Sequence, residues 1–285
     1  MIKKILKISI VGKTNAGKST LLNSIIGETV SIINKKINTT EDSIIGVRNV
    51  KEHQLIFYDT PGFNFIKSIN TKNKILKKNL WDGINNSDII LFVIDSRKIN
   101  FKETLSSLKF LNNLNKEIYL IFNKNDLIDK RIVLPIIKKI DDQIKNITYI
   151  SISAKRSLGL KKIINLLVKK TYRSDWLFND NQITNKDDIF ITNECTRNMI
   201  FNSLHKEIPY NLNVKNKQFK YLKNGHLKIK QDIEIINNRY KQIILGKNGS
   251  KIKDIRTKSQ NSISKILDIK VHLYLNIVKI NAKKI

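Results

Sequence analysis

The run Gly12-Lys13-Thr14-Asn15-Ala16-Gly17-Lys18-Ser19 has the residue types and spacing of a loop that cradles phosphate. Its glycines let backbone N–H groups turn inward, its lysine can reach a β- and a γ-phosphate, and its terminal hydroxyl can bind Mg²⁺. The apolar run Ile5–Val11 precedes it, and Lys18–Ile26 after it has helical spacing. A strand in front and a helix N-terminus behind are what such a loop needs, because the helix dipole adds positive potential at the anion. Thr20 extends the expected contact set into the helix.

Four later clusters complete the chemistry. Asp59-Thr60-Pro61-Gly62 closes the apolar run Leu55–Tyr58. Asp59 is expected to hold Mg²⁺ through a water, and the Gly62 N–H to sense a γ-phosphate. Thr39-Thr40 lies in the preceding loop, and the Thr40 hydroxyl is expected to close on the metal and that phosphate. The expected metal set is therefore Ser19, Thr40 and Asp59, and the expected catalytic set Lys18, Thr40 and Gly62. Loss of the γ-phosphate would release both loops, an order–disorder switch.

Asn123-Lys124-Asn125-Asp126, directly after Ile118–Phe122, selects the base. The Asp126 carboxylate can accept from the N1–H and the exocyclic amine of guanine together. Adenine lacks that donor pair, and a buried carboxylate left unpaired costs about 1–3 kcal/mol or more. Asn123 is expected to bond the base edge or brace the phosphate loop, with the Lys124 stem along the base plane. Ser153-Ala154-Lys155 can present a backbone N–H to guanine O6. Taken alone, Asn-Lys-x-Asp is a weak signal in a chain this rich in Asn and Lys. In series after a phosphate loop it is a strong one.

The elements that must hold these residues are legible. Ile5–Val11, Leu55–Tyr58, Ile89–Ile94, Ile118–Phe122 and Ile147–Ile152 read as buried strands. Lys18–Ile26, Thr104–Leu114, Leu134–Ile144 and Leu160–Thr171 between them read as helices. This alternation implies an α/β domain, a mostly parallel sheet with helices on both faces and ligands at the carboxyl ends of its strands. A polar stretch from Tyr172 to Asp188 reads as a linker. Beyond it, Ile189–Leu204 is an amphipathic helix, Tyr210–Gln218 and Leu227–Ile236 alternating strands, and Tyr240–Leu245 an extension of that sheet. Gly246-Lys247-Asn248-Gly249 is then a tight loop, Ser250–Leu267 a helix and Val271–Ile280 a last strand. The order is α-β-β-α-β, a small α+β domain.

Composition bounds the rest. The single cysteine, Cys195, rules out an intrachain disulfide, and the four histidines show no metal-ligand spacing with it. No apolar run approaches the roughly 20 residues of a membrane span, and no leader is evident, so a soluble protein is expected. The net charge of +29 invites a polyanion. It is denser in residues 185–285, where 21 Lys and Arg face 8 Asp and Glu. Charge alone leaves nucleic acid and a merely solvated basic surface evenly matched.

The order of these motifs resembles the translation-factor class of GTPases. Asn15 inside the loop and the Thr39-Thr40 pair narrow the likeness to the group holding the Era, MnmE and Der families. Der carries two such domains in tandem, too many for 285 residues, and MnmE has a large region ahead of its GTPase domain, whereas here the loop begins at residue 12. The layout resembles Era, a GTPase domain followed by a type II KH domain. Asp180–Thr184, Ile208-Pro209-Tyr210 and the Gly-x-x-Gly run at 246–249 carry that likeness.

The resemblance implies a GTPase domain over 1–172, a linker over 173–187 and a KH domain over 188–285. It implies hydrolysis of GTP to GDP and phosphate, and RNA held by Gly246, Lys247, Asn248, Gly249, Ser250, Lys251 and Lys253. The RNA implied is small-subunit (16S) ribosomal RNA near its 3′ end, with a role in 30S subunit assembly by a cytoplasmic monomer. The alternatives are an RNA-binding module for other RNA and a regulatory GTPase held peripherally on the inner membrane surface. Phe63 follows the Asp-Thr-Pro-Gly run where Ras-like enzymes have a water-orienting Gln, so slow intrinsic turnover is expected. MnmE-like relatives use the residue matching Asn15 to hold K⁺, which adds a monovalent cation to the expected cofactors. Two departures stand out: Glu41 where the family has Arg, and Lys13-Thr14 where it has Arg-Pro.

Overall fold

A computed structural model describes residues 2–27, 44–62, 74–180, 182–204 and 212–280 of the chain. Thr39, Thr40, Glu41, Phe63, Asn181, His205 and Ile208-Pro209-Tyr210 lie outside the described residues. The chain divides into two compact units, residues 1–185 and 186–285.

In the first unit, β1 (Lys4–Val11), β3 (His53–Asp59), β4 (Ile89–Asp95), β5 (Glu117–Asn123) and β6 (Ile147–Ser151) run parallel. The sheet order is β2-β3-β1-β4-β5-β6, with β2 (Ile44–Val50) antiparallel on the edge beside β3. Residues alternate in facing along a strand, so a strand covered on both sides must be apolar throughout. Strand β4 shows this. Ile89, Leu91 and Val93 join one core with α1 (Lys18–Ile26) and α5 (Leu160–Val168). Ile90 and Phe92 join the opposite core with α2 (Lys74–Asn85), α3 (Phe101–Asn112) and α4 (Val133–Asp141). The expected parallel α/β architecture is what the fold has. Strand β2 and helix α2 are additions that the sequence reading did not contain.

The stretch read as a linker is bound into this unit. Tyr172–Arg173 form a short strand, β7, antiparallel to the start of β1. Gln54, fully buried on β3, accepts from the Leu177 and Phe178 N–H groups at 2.9 and 3.1 Å and donates to the Phe178 carbonyl at 2.9 Å. The Trp176 indole donates to the Glu52 carbonyl at 3.1 Å, and the Val47 N–H donates to the Ile183 carbonyl at 2.8 Å. A buried amide needs such partners, so residues 172–180 and 182–185 are laid against β1, β2 and β3 rather than spanning free between domains.

The second unit runs α-β-β-α-α-β: α6 (Asp188–Leu204), β8 (Asn213–Tyr221), β9 (Leu227–Ile235), α7 (Asn238–Leu245), α8 (Ser250–Leu267) and β10 (Val271–Lys279). Strands β8 and β9 form a hairpin, and β10 lies parallel to β9. Tyr240–Leu245 is therefore helical and not part of the sheet. The Asn237 side chain accepts from the Arg239 N–H at 2.9 Å and caps the helix. Tyr240, Ile243 and Ile244 fall at i, i+3 and i+4, and all pack into the core. Strand β8 begins at Asn213, later than expected, and carries a bulge at Lys217.

Candidate functional site

The register of the parallel strands brings the motifs to one edge. Ile10 pairs with Asp59 and Asp95 pairs with Asn123, so the loops after β1, β3, β4 and β5 emerge side by side. The phosphate loop follows β1. Gly12 takes φ +146° with its α-carbon against the Val93 carbonyl, where a β-carbon would collide.

Lys18 is buried at the start of α1. Its ammonium donates to the carbonyls of Gly12 at 3.0 Å and Lys13 at 3.1 Å. Burial pushes this lysine down to about 8, and the nearby Asp59 carboxylate partly offsets that. A desolvated cation facing the inside of a loop is a site made for an anion. The Ser19 hydroxyl donates to Asp59 Oδ2 at 2.7 Å. Two hard oxygen ligands thus meet beside Lys18, a donor set that suits Mg²⁺.

The elements expected to select guanine converge as well. The Asn123 side chain is buried and bonded three ways. Its Nδ2 donates to the Ala16 carbonyl at 2.9 Å, and its Oδ1 accepts from the Lys124 and Ala154 N–H groups at 2.8 and 3.0 Å. Asn123 therefore braces the phosphate loop. The Lys124 ammonium donates to the Asn15 carbonyl at 2.6 Å and to Asp95 Oδ2 at 2.7 Å. A hydrogen bond from the Ser153 hydroxyl, aided by Arg156 and Lys155, holds the Asp126 carboxyl below its usual range. Arg156 Nε lies 3.2 Å from Asp126 Oδ2.

Some expected contacts resolve differently. The Thr60 hydroxyl donates to the Ile10 carbonyl at 2.7 Å, which ties the Asp-Thr-Pro-Gly turn to β1. The Lys13 side chain turns away to pair with Glu103 on α3, leaving its carbonyl in the loop. Asp95 was not foreseen. Burial raises its carboxyl, but hydrogen bonds from Arg97 and Lys124 outweigh this and hold it well below the usual range. An acidic residue ending an apolar strand of a parallel sheet was the signal available for it.

In the second unit the Gly-x-x-Gly turn joins α7 to α8. Gly246 has φ +68°, and a β-carbon there would lie 2.6 Å from Lys251 Cγ. Gly249, at φ +73°, caps α8 with nothing near its missing β-carbon. Lys247 and Lys253 are exposed beside it, while Ile244 and Ile255 are buried and Ile243 and Ile252 pack on the core. The turn thus offers a bare backbone and cations to solvent.

A phosphate loop on a parallel sheet, an Asn-Lys-x-Asp turn braced to it and a Gly-x-x-Gly module define a P-loop GTPase joined to a KH domain. Residues 7–124 match the family described as "50S ribosome-binding GTPase", and residues 207–283 match the KH domain family. GTPase Era of Rickettsia prowazekii is 37% identical over 282 residues, spanning 99% of this chain and 94% of the relative. Two solved structures are similar over the whole length. One is Era in complex with MgGDPNP and nucleotides 1506–1542 of 16S ribosomal RNA, at 30% identity, TM-score 0.80 and coverage of 99% of this chain and 95% of the other. The second is a variant of Aquifex aeolicus Era bound to GDP and AlF4⁻, at 29% identity, TM-score 0.78 and coverage of 98% and 95%. The chain belongs to the Era family of GTPases.

Proposed function

We propose that this protein is a GTP-hydrolysing switch that binds the 3′ end of small-subunit ribosomal RNA and assists assembly of that subunit. The observation that carries the nucleotide reading is the buried Lys18 ammonium, desolvated inside the phosphate loop with backbone carbonyls as its hydrogen-bond partners. The RNA reading is supported by the bare, basic Gly-x-x-Gly turn and by the relative solved with ribosomal RNA.

In this reading Lys18 and the N–H groups of residues 13–19 hold the phosphates and stabilise charge developing on the γ-phosphoryl group during in-line attack by water. Ser19 and Asp59, with Thr40, would hold Mg²⁺, which supplies positive charge to the phosphate oxygens. Asp126 reads guanine, and Asn123 keeps the phosphate loop in register with it. Gly62 offers its N–H to the γ-phosphate. Gly246, Lys247, Asn248, Gly249, Ser250, Lys251 and Lys253 clamp the RNA backbone. The proposed domains are a GTPase over 1–172, a segment over 173–187 most of which is laid on that domain's sheet, and a KH domain over 188–285. The protein acts as a cytoplasmic monomer.

K⁺ is the finer cofactor proposal. Asn15 stands exposed at the loop apex with φ +66°, where its amide oxygen can meet a monovalent cation. Equal hydrolysis rates in KCl and NaCl would remove it. Peripheral binding to an anionic membrane is a second reading, supported by the net charge of +29. Among the described residues no helix is long and apolar enough to cross a membrane. Pelleting with anionic liposomes at low salt tests the surface association.

The main test is crosslinking of the GTP-loaded protein to total cellular RNA, beside a variant with Gly246→Asp and Gly249→Asp. Enrichment of the small-subunit RNA 3′ end, abolished in the variant, is expected. Enrichment of unrelated RNA would overturn the ribosomal reading.

A further inference from the structure

The KH unit has a second surface with the chemistry of a nucleic-acid platform, on the face of its sheet turned away from the helices. Along β9, Leu227, Ile229, Gln231, Ile233 and Ile235 are buried, so the alternate positions Lys228 and Lys230 face outward. Directly paired residues share a face. Lys220 on β8 and His272 on β10 flank Lys228, and Gln218 and Tyr274 flank Lys230. Tyr274 is 53% exposed, and the Lys228 ammonium lies over its ring at 5.6 Å. At the same end, His226 Nδ1 lies 2.9 Å from His272 Nε2, and Lys270 adds a further cation.

The blandest account is a solvated lysine face. Two observations weigh against it. Among the described residues Lys220, Lys228, Lys230 and Lys270 have no carboxylate partner. The carboxylates of the same face, Asp232 and Glu234, sit at its other end and are engaged by Lys217, Asn276 and Asn213. Charge is therefore segregated along the face. An exposed aromatic ring also sits among the unpaired cations, the combination that binds single-stranded nucleic acid by phosphate contact and base stacking.

We infer that this open sheet face is a second RNA-binding surface, with phosphates on Lys220, Lys228, Lys230 and Lys270 and one unpaired base stacked on Tyr274. It rests on the RNA-binding reading above and lies across the sheet from the helices that carry the Gly-x-x-Gly turn. An RNA that fills only the turn would not reach it, whereas a longer strand would engage both.

The experiment uses the full chain loaded with GDPNP. One probe is a transcript of the last roughly 40 nucleotides of small-subunit RNA, and the other a single strand of about nine nucleotides. Affinity is measured across a salt series for Lys228→Ser with Lys230→Ser, for Tyr274→Ala and for Gly246→Asp with Gly249→Asp. Circular dichroism confirms that each variant is folded. The sheet variants should weaken the long probe about tenfold and leave the short one unchanged. The double lysine variant should also lower the salt slope by about 1.4, about 0.7 for each phosphate no longer neutralised. If only the Gly-x-x-Gly variant weakens the long probe, the sheet face is solvent and the parent reading stands. If only the sheet variants weaken it, the parent assignment of the turn fails and this surface is the RNA site. If none does, both fail. Loss of binding to phosphatidylglycerol vesicles, with RNA binding intact, would also overturn the inference.

Discussion

Asn123→Ala tests the proposition that one side chain holds the nucleotide site together. The Asn123 amide makes three hydrogen bonds, to the Ala16 carbonyl and from the Lys124 and Ala154 N–H groups. Ala16, Asn123 and Ala154 are all buried, so the truncation strands one carbonyl and one N–H away from water. Each stranded group costs about 1–3 kcal/mol, while Lys124, nearer solvent, can recover a water partner. The sum is about 2–6 kcal/mol, or a roughly 30- to 25,000-fold loss of affinity if it falls wholly on the bound state. Titration with fluorescent GTP and GDP, beside thermal unfolding, reads how it divides. Both nucleotides should weaken by the same factor, because none of the three bonds lies at the γ-phosphate end. Asn123→Asp should be worse still, since it turns a carboxylate oxygen toward the Ala16 carbonyl in place of a donor. An alanine variant that binds GDP within threefold of the parent, with unchanged unfolding, would refute the reasoning.

Gly62→Ala should lower hydrolysis sharply with little effect on GDP affinity. The added β-carbon would lie 2.7 Å from Thr14 Cα and 2.9 Å from Thr14 N, and so push the γ-phosphate end of the turn off the loop. Thr14→Gly in the same chain would remove the clash with Thr14 Oγ1 but should restore little, because the clashes with the Cα and N of residue 14 remain. Glu103→Ala should weaken nucleotide binding less than fivefold. The Lys13 end of its ion pair is half exposed, and such pairs contribute about 0.2–1 kcal/mol. Glu194 supplies the pH test. Burial pushes its carboxyl up to about 7 against an ordinary 4.5, with Arg197 opposing. The folded KH unit therefore keeps a proton that the unfolded chain releases, and stability should fall as pH rises from 4.5 to 7, by up to about 3 kcal/mol, then level off. Glu194→Gln should flatten that decline. Urea unfolding must be followed by circular dichroism, since both tryptophans, Trp81 and Trp176, lie in the first unit. A parent protein equally stable at pH 5 and pH 8 would refute it.

What was legible in the sequence was what is local. Apart from Thr39-Thr40, each nucleotide motif is a contiguous run at the end of an apolar strand, and its neighbours in the chain are also its structural context. The parallel strands were legible for the same reason, since both of their faces are buried. Strand β2 was not. It is an edge strand with Gly46, Arg48 and Asn49 in its middle, and its pairing with β3 leaves no unbroken apolar run. In α2 the buried anchors Leu80 and Ile84 stand among Lys and Asn, too sparse to show a period. The short run Tyr240–Leu245 fits a strand or a helix equally well until the Asn237 cap is seen.

The linker shows the limit most clearly. Its polar composition reads as solvent-facing chain, yet its backbone supplies the partners that a buried Gln54 requires. A glutamine at the head of the apolar run Leu55–Tyr58 was itself a signal. A fully buried amide must find both donors and acceptors, and Gln54 finds one acceptor on Asn49 of the neighbouring strand and the rest on the backbone of the segment laid across it. The same accounting assigned Asn123 to bracing the phosphate loop. In both cases the sequence showed a polar residue at a strand end, and its function followed from which distant backbone groups it had to satisfy.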